Sequence, residues 1–161
     1  MSFFTADLCD RFSDQDNFQV AEPLLQHYGK KRQFCGQITT LKVFEDNSLV
    51  CNTLAEPGQN RVLVIDGGGS RRCALLGDTL VDQAVTSGWQ GIIVYGCIRG
   101  VELIDQMPIG VMALHTHPLR SRKHGQGDRD KMITFAGVNF KKDHYLYADA
   151  DGIIVSETKL D

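Results

Sequence analysis

Apolar and polar positions change their rhythm twice along this chain. Near the start, Leu8 and Phe12 recur at helical spacing behind Thr5, which predicts a short helix capped by Thr5. Residues 36–44, GQITTLKVF, partly alternate and are rich in β-formers, the signal of a strand. Ser48 is placed to cap a helix over Leu49, Val50 and Leu54, which Pro57-Gly58 closes. The apolar positions then become continuous. Residues 61–66, RVLVID, read as a strand buried on both faces. From Ala74 to Ser87 the residues Leu76, Leu80, Ala84 and Val85 fall at helical spacing, and Gly88 stops that helix. Residues 91–96, GIIVYG, and 109–114, IGVMAL, predict two more buried strands. After residue 130 alternation returns over Ile133 to Phe140, and Tyr145 to Val155 reads as a hairpin around Ala150-Asp151-Gly152.

Strand, helix and strand in this order make a βαβ unit with a parallel pair. The final third is antiparallel. The sequence therefore predicts a mixed α/β domain with a β-rich surround, not a regular doubly wound sheet. No repeat or linker interrupts residues 1–161, so one domain is expected.

Composition adds limits. Hydrophobic residues make up 42% of the 161, enough for a sizeable core, and the net charge of -3 gives no general pull towards nucleic acid or anionic lipid. Cys9, Cys35, Cys51, Cys73 and Cys97 are odd in number and form no CxxC pair, which reads as reduced thiols. With no signal peptide and no apolar run of spanning length, a cytoplasmic protein is expected.

Candidate chemistry gathers where buried strands end, the usual ligand position in α/β sheets. One end is Asp66-Gly67-Gly68-Gly69-Ser70, whose glycines would let backbone N–H groups approach an anion. The other is Tyr95-Gly96-Cys97-Ile98-Arg99, where a planar guanidinium suits a carboxylate. Adjacent strands would bring Gly68, Gly69 and Arg99 to one crevice fit for a small keto acid. GGGSRR is neither GxGxxG nor a P-loop. His115-Thr116-His117 has zinc-binding spacing but no further His or Cys cluster nearby. The basic run Arg120, Arg122, Lys123 and His124 reads as a solvated loop, Trp89 as a helix–strand corner, and Tyr145 and Tyr147 as sheet-face packing.

The run VLVIDGGGSRRCALLGDTL…GWQGIIVYGCIRGVELID, with TADLCD, FCGQITTLKVFEDNSLV and LYADADGIIVS around it, is similar to the RraA-like family over nearly the whole chain. That resemblance implies a β/β/α sandwich with a mixed sheet, assembled as a homotrimer with pockets between subunits. Family members include 4-hydroxy-4-methyl-2-oxoglutarate aldolases, which also decarboxylate oxaloacetate and use a divalent metal, magnesium or manganese. They also include a regulator that binds ribonuclease E and modulates RNA degradation. By the same resemblance, substrate meets a Gly-Asp-x-Leu turn, here Gly77-Asp78-Thr79-Leu80, and the arginine of an Arg-Asp pair, here Arg99. The metal-anchoring aspartate of that pair is Gly100, and Leu103 stands where a further acid is expected, with Glu102 beside it as a substitute. Asp78 would then hold a catalytic water. A lyase and a protein-binding regulator both remain open.

Overall fold

The computed structural model describes residues 2–160. In chain order the elements are α1 (Thr5–Phe12), β1 (Phe18–Val20), β2 (Gln26–Tyr28), β3 (Phe34–Lys42), α2 (Ser48–Leu54), β4 (Val62–Asp66), β5 (Ala74–Leu76), α3 (Asp78–Ser87), β6 (Gly91–Ile98), α4 (Val101–Ile104), β7 (Gly110–Thr116), β8 (Asp128–Arg129), β9 (Ile133–Phe135), β10 (Val138–Phe140), β11 (Tyr145–Asp149) and β12 (Gly152–Ser156). One sheet runs β1-β12-β11-β3-β4-β6-β7-β2. Its centre, β3-β4-β6-β7, is parallel, and its flanks are antiparallel.

The continuous apolar runs explain that arrangement. Successive side chains of a strand face opposite ways. In β4, Leu63 and Ile65 face Val50, Leu54, Val81 and Ala84 of the helices, while Val62 and Val64 face Phe135, Phe140, Leu146 and Val155. A parallel strand covered on both faces has no polar side to show. The layers are helix, sheet and a second β layer, which is the β/β/α sandwich with a mixed sheet that the family resemblance implies.

Helix and strand starts differ from the sequence reading in three places. Thr5 is the first residue of α1, not its cap: its N–H and Oγ1 donate to Asp149 of β11 at 2.7 and 2.6 Å. Burial pushes the Asp149 carboxyl up, but the hydrogen bonds from Thr5 and Asp151 outweigh this and hold it below the usual carboxylate range. Ser48 likewise lies inside α2, where Asp46 Oδ1 accepts its N–H at 3.0 Å. Residues Ala74–Leu76 form β5 and not the start of a helix, pairing with Cys97 and Ile98 of β6. Both signals share the same leucines, and the free edge of β6 beyond β4 decides between them. Gly88 does end α3, at φ 89°. No helix among the described residues is long and apolar enough to cross a membrane.

Candidate functional site

Because β5 extends the sheet past β4, it carries the chain to the end of β6. There Gly77 turns it into α3, and the backbone N–H of Arg99 donates to the Leu76 carbonyl at 2.9 Å. The Arg99 side chain lies along this turn: a Cβ on Gly77 would sit 3.5 Å from its Cγ. Its Nη1 donates to the Pro118 carbonyl at 3.2 Å. Arg99 and the Gly77-Asp78-Thr79-Leu80 turn thus line one cavity of about 260 Å³.

The opposite wall comes from the segment after β7. Its basic run is not merely a solvated loop, because Arg120 and Lys123 line the same cavity. Three backbone-directed interactions hold them there. The Ala74 N–H donates to the Leu119 carbonyl at 2.7 Å, and Asp46 Oδ2 accepts from His124 and Gln126 N–H at 2.9 and 3.3 Å. Burial raises the Asp46 carboxyl, yet the Ser48, His124 and Gln126 donors bring it down to about 2. Lys123 Nζ donates to Asn47 Oδ1 at 3.0 Å and lies 3.0 Å from Cys51 Sγ. The run itself was the only sequence signal for these two cations.

The charge pattern is one-sided. Arg99, Arg120 and Lys123 face a single acid among the described lining residues, Asp78. The first turn of α3 adds outward amides and the positive end of its dipole. Such a charge pattern favours an anion over a cation.

The triple-glycine loop is not part of it. Gly67 and Gly69 N–H both donate to the Tyr95 carbonyl at 3.1 Å, and Gly68 N–H donates to Asp66 Oδ1 at 2.9 Å. Its amides are spent inside the loop, so they cannot cradle an anion. Gly68 lines a separate hollow beside Phe44 and Gly127, and Gly69 backs onto the Tyr95 ring. The geometry corrects the expectation that Gly68, Gly69 and Arg99 share a crevice. His115, exposed, and His117, partly buried, each accept a neighbouring backbone N–H at Nδ1, at 2.8 and 3.1 Å, and among the described residues they are not joined by a third ligand.

One chain's donors do not fit the magnesium or manganese ion that the resemblance implies. Hard cations want several oxygens, usually one or two carboxylates among them. Gly100 offers none, and its left-handed backbone (φ 70°) lies against Asp78: a Cβ there would come 2.5 Å from Asp78 Oδ1. Glu102 is exposed on α4 and does not line the cavity, so it does not stand in. No three His, Cys, Asp or Glu side chains converge among the described residues.

Comparison with known proteins agrees with this architecture. The family profile RraA-like, described as Aldolase/RraA, matches residues 5–155. A Methylococcus capsulatus protein provisionally named 4-hydroxy-4-methyl-2-oxoglutarate aldolase is 59% identical over 160 residues, covering 99% of each chain. One of the same name from Aromatoleum aromaticum is 54% identical, again over 99% of each. Among solved structures, the RNA-processing inhibitor RraA from Thermus thermophilus superposes with TM-score 0.95 at 37% identity, covering 100% of this chain and 96% of that one. A Geobacillus kaustophilus structure named as an S-adenosylmethionine:2-dimethylmenaquinone methyltransferase gives 0.93 at 51% identity, covering 98% and 97%.

Proposed function

The chain belongs to the RraA-like family, and on that footing we propose that it is a lyase for small 2-oxo dicarboxylates. It cleaves 4-hydroxy-4-methyl-2-oxoglutarate to two pyruvates and decarboxylates oxaloacetate. The observation that carries this reading is Arg99 lying along the Gly77–Leu80 turn inside a small, predominantly cationic cavity.

Both reactions pass through the pyruvate enolate. In the cleavage, the C4 hydroxyl loses its proton, the C3–C4 bond breaks, and its electron pair becomes the enolate. In decarboxylation the same bond breaks to release carbon dioxide. Charge growing on the C2 oxygen is what must be stabilised. In this reading Arg99 and the α3 amides bind that oxygen and its carboxylate, and Arg120 and Lys123 bind the far carboxylate; their sharing one cavity supports it. Asp78, directly or through water, takes the C4 hydroxyl proton. Oxaloacetate needs no such base, so Asp78→Asn would slow the aldol cleavage more than the decarboxylation.

The test is oxaloacetate turnover at high enzyme concentration, with magnesium, with manganese and with chelator. Expected is a rate above the metal-only background that falls by about tenfold or more in Arg99→Lys, whose point charge loses the planar fork. Turnover no faster than background under all three conditions would remove the lyase reading.

A second reading rests on Gly100. Without the carboxylate that the resemblance expects there, the scaffold also suits a non-catalytic regulator that binds ribonuclease E; the Thermus relative is named an RNA-processing inhibitor. Direct binding to ribonuclease E tests it, and no interaction would discard it. The methyltransferase name fits less well, because a pocket holding Arg99, Arg120 and Lys123 repels a cationic sulfonium donor.

A homotrimer belongs to the same proposal. Phe44, Leu103 and Leu119 are more than half exposed, at 58%, 53% and 58%. Large exposed apolar residues of this kind suit burial between subunits. Light scattering should return three times 17.9 kDa.

A further inference from the structure

A second cavity lies at the opposite, amino-terminal ends of the parallel strands. It measures about 640 Å³, within the range of small-molecule sites. It shares no lining residue with the Arg99 cavity. Its walls are the starts of β3, β4 and β6, the face of β11, and the chain around Phe3 and Lys159.

Its lining carries Lys31, Arg61 and Lys159 and, among the described residues, no carboxylate. In a chain of net charge -3 this concentration is not expected from composition. The hydrogen bonds also leave donors in excess. Lys31 Nζ donates to Gln90 Oε1 at 2.8 Å, and an ammonium can only donate, which fixes the Gln90 amide. Gln90 Nε2 then donates to Asn60 Oδ1 at 3.0 Å, leaving the Asn60 amide N–H₂ as the end of the chain. Arg61 is held by Thr39 Oγ1, the Ile38 carbonyl and Asp143 at 2.8, 2.6 and 2.7 Å. Gln59 and Asn60, on the rim, both take left-handed backbone (φ 51° and 61°), a strained pairing for non-glycine residues of the sort that clusters at ligand sites.

One wall is aromatic. Phe3 packs edge-on against Tyr147 at 5.4 Å, and Tyr145 lies half-buried two residues along the same face of β11. Cys35 sits opposite Tyr147 in the strand pairing. Cys35, Lys31 and Lys159 line the same cavity, and burial pushes the Cys35 thiol up against the opposing charges of the two lysines.

We propose that this cavity binds an organic phosphate of nucleotide size, its phosphates on Lys31 and Lys159 and its ring against Tyr145 and Phe3. Lysine is a point-charge partner for phosphate, and aromatic faces accept any base. The excess of donors favours a ligand that offers only acceptors at its charged end.

Calorimetry on the full chain tests this with ATP, inorganic triphosphate and citrate. ATP should bind, with triphosphate weaker because it lacks the ring and citrate weakest. Lys31→Ala and Lys159→Ala alter exposed side chains and should each weaken ATP by about tenfold, at unchanged Tm, while Arg99→Ala leaves it unaltered. ATP should also slow alkylation of Cys35 by iodoacetamide, read by peptide mapping. The proposal fails if ATP gives no heat at millimolar concentration, if neither lysine change alters its affinity, if citrate matches it, or if Cys35 stays unprotected. None of these outcomes bears on oxaloacetate turnover, so the two sites are judged separately.

Discussion

Gly100 decides the chemistry of the Arg99 pocket twice over, by the carboxylate it lacks and by the backbone it adopts. At φ 70° an L-residue is strained, and any Cβ would press on Asp78 Oδ1. Gly100→Asp therefore has two expected effects. Asp tolerates this backbone better than most residues, but Asp78 must swing aside, so stability should drop by about 1–2 kcal/mol, or roughly 2–8 °C in Tm. If the scaffold is a lyase short of one metal ligand, oxaloacetate decarboxylation with magnesium should rise. Gly100→Ala carries the backbone cost without the carboxylate and should gain no rate. Equal rates in the two variants, both folded, would mean that a carboxylate at this position supplies nothing.

At the scale of elements, what the sequence reveals depends on how many residues share one environment. The runs 61–66, 91–96 and 109–114 were readable because β4 and most of β6 and β7 are buried on both faces, so nearly every position carries the same signal, while the ends of β6 at 97–98 and β7 at 115–116 escaped it. Three-residue pieces such as β1 and β2 are edge strands with partly exposed side chains and give almost none. The Gly77–Leu80 turn and Arg99 were legible as a motif, whereas Arg120 and Lys123 were not, because only tertiary bonds from Asp46 and Ala74 bring their segment across the cavity. The triple glycine misled for a similar reason: its amides turn inward onto Tyr95 and Asp66, which no local pattern specifies. Glycine has a different meaning in the strands. Phe34 lies across the starts of β6 and β7, where Cβ atoms on Gly91 and Gly110 would come within 2.3 and 2.1 Å of its ring. Phe34 is only 2% exposed and cannot move away. Gly110→Ala should thus cost about 1–3 kcal/mol by overpacking, and Phe34→Leu in the same chain should recover part of the loss. Additive losses in urea unfolding would show that the ring is not the obstacle.

Across the whole molecule, one sheet offers opposite ends to two cavities, and Asp46 connects the stability of the fold to the first of them. Its carboxylate accepts from Ser48 at the start of α2 and from His124 and Gln126 on the segment that carries Arg120 and Lys123. In Asp46→Asn an amide N–H₂ replaces one of the two oxygens, so one side's donors lose their acceptor. The expected cost is about 2 kcal/mol, as for hydrogen bonds to a charged group. Hydrogen exchange should quicken at His124 and Gln126, and affinity for dicarboxylates should fall although no residue of the pocket wall has changed. The pH dependence separates this latch from a packing defect. The folded carboxyl lies at about 2, below its unfolded value of 3.8, so the unfolded chain binds the proton more readily. Its contribution is therefore complete above the unfolded value and drains away as pH falls towards 2. The gap in unfolding free energy between wild type and Asp46→Asn should be constant from neutral pH to about 5 and then narrow across the acid range. A gap that keeps its full size near pH 2 would mean that the charge on Asp46 does not hold the segment in place.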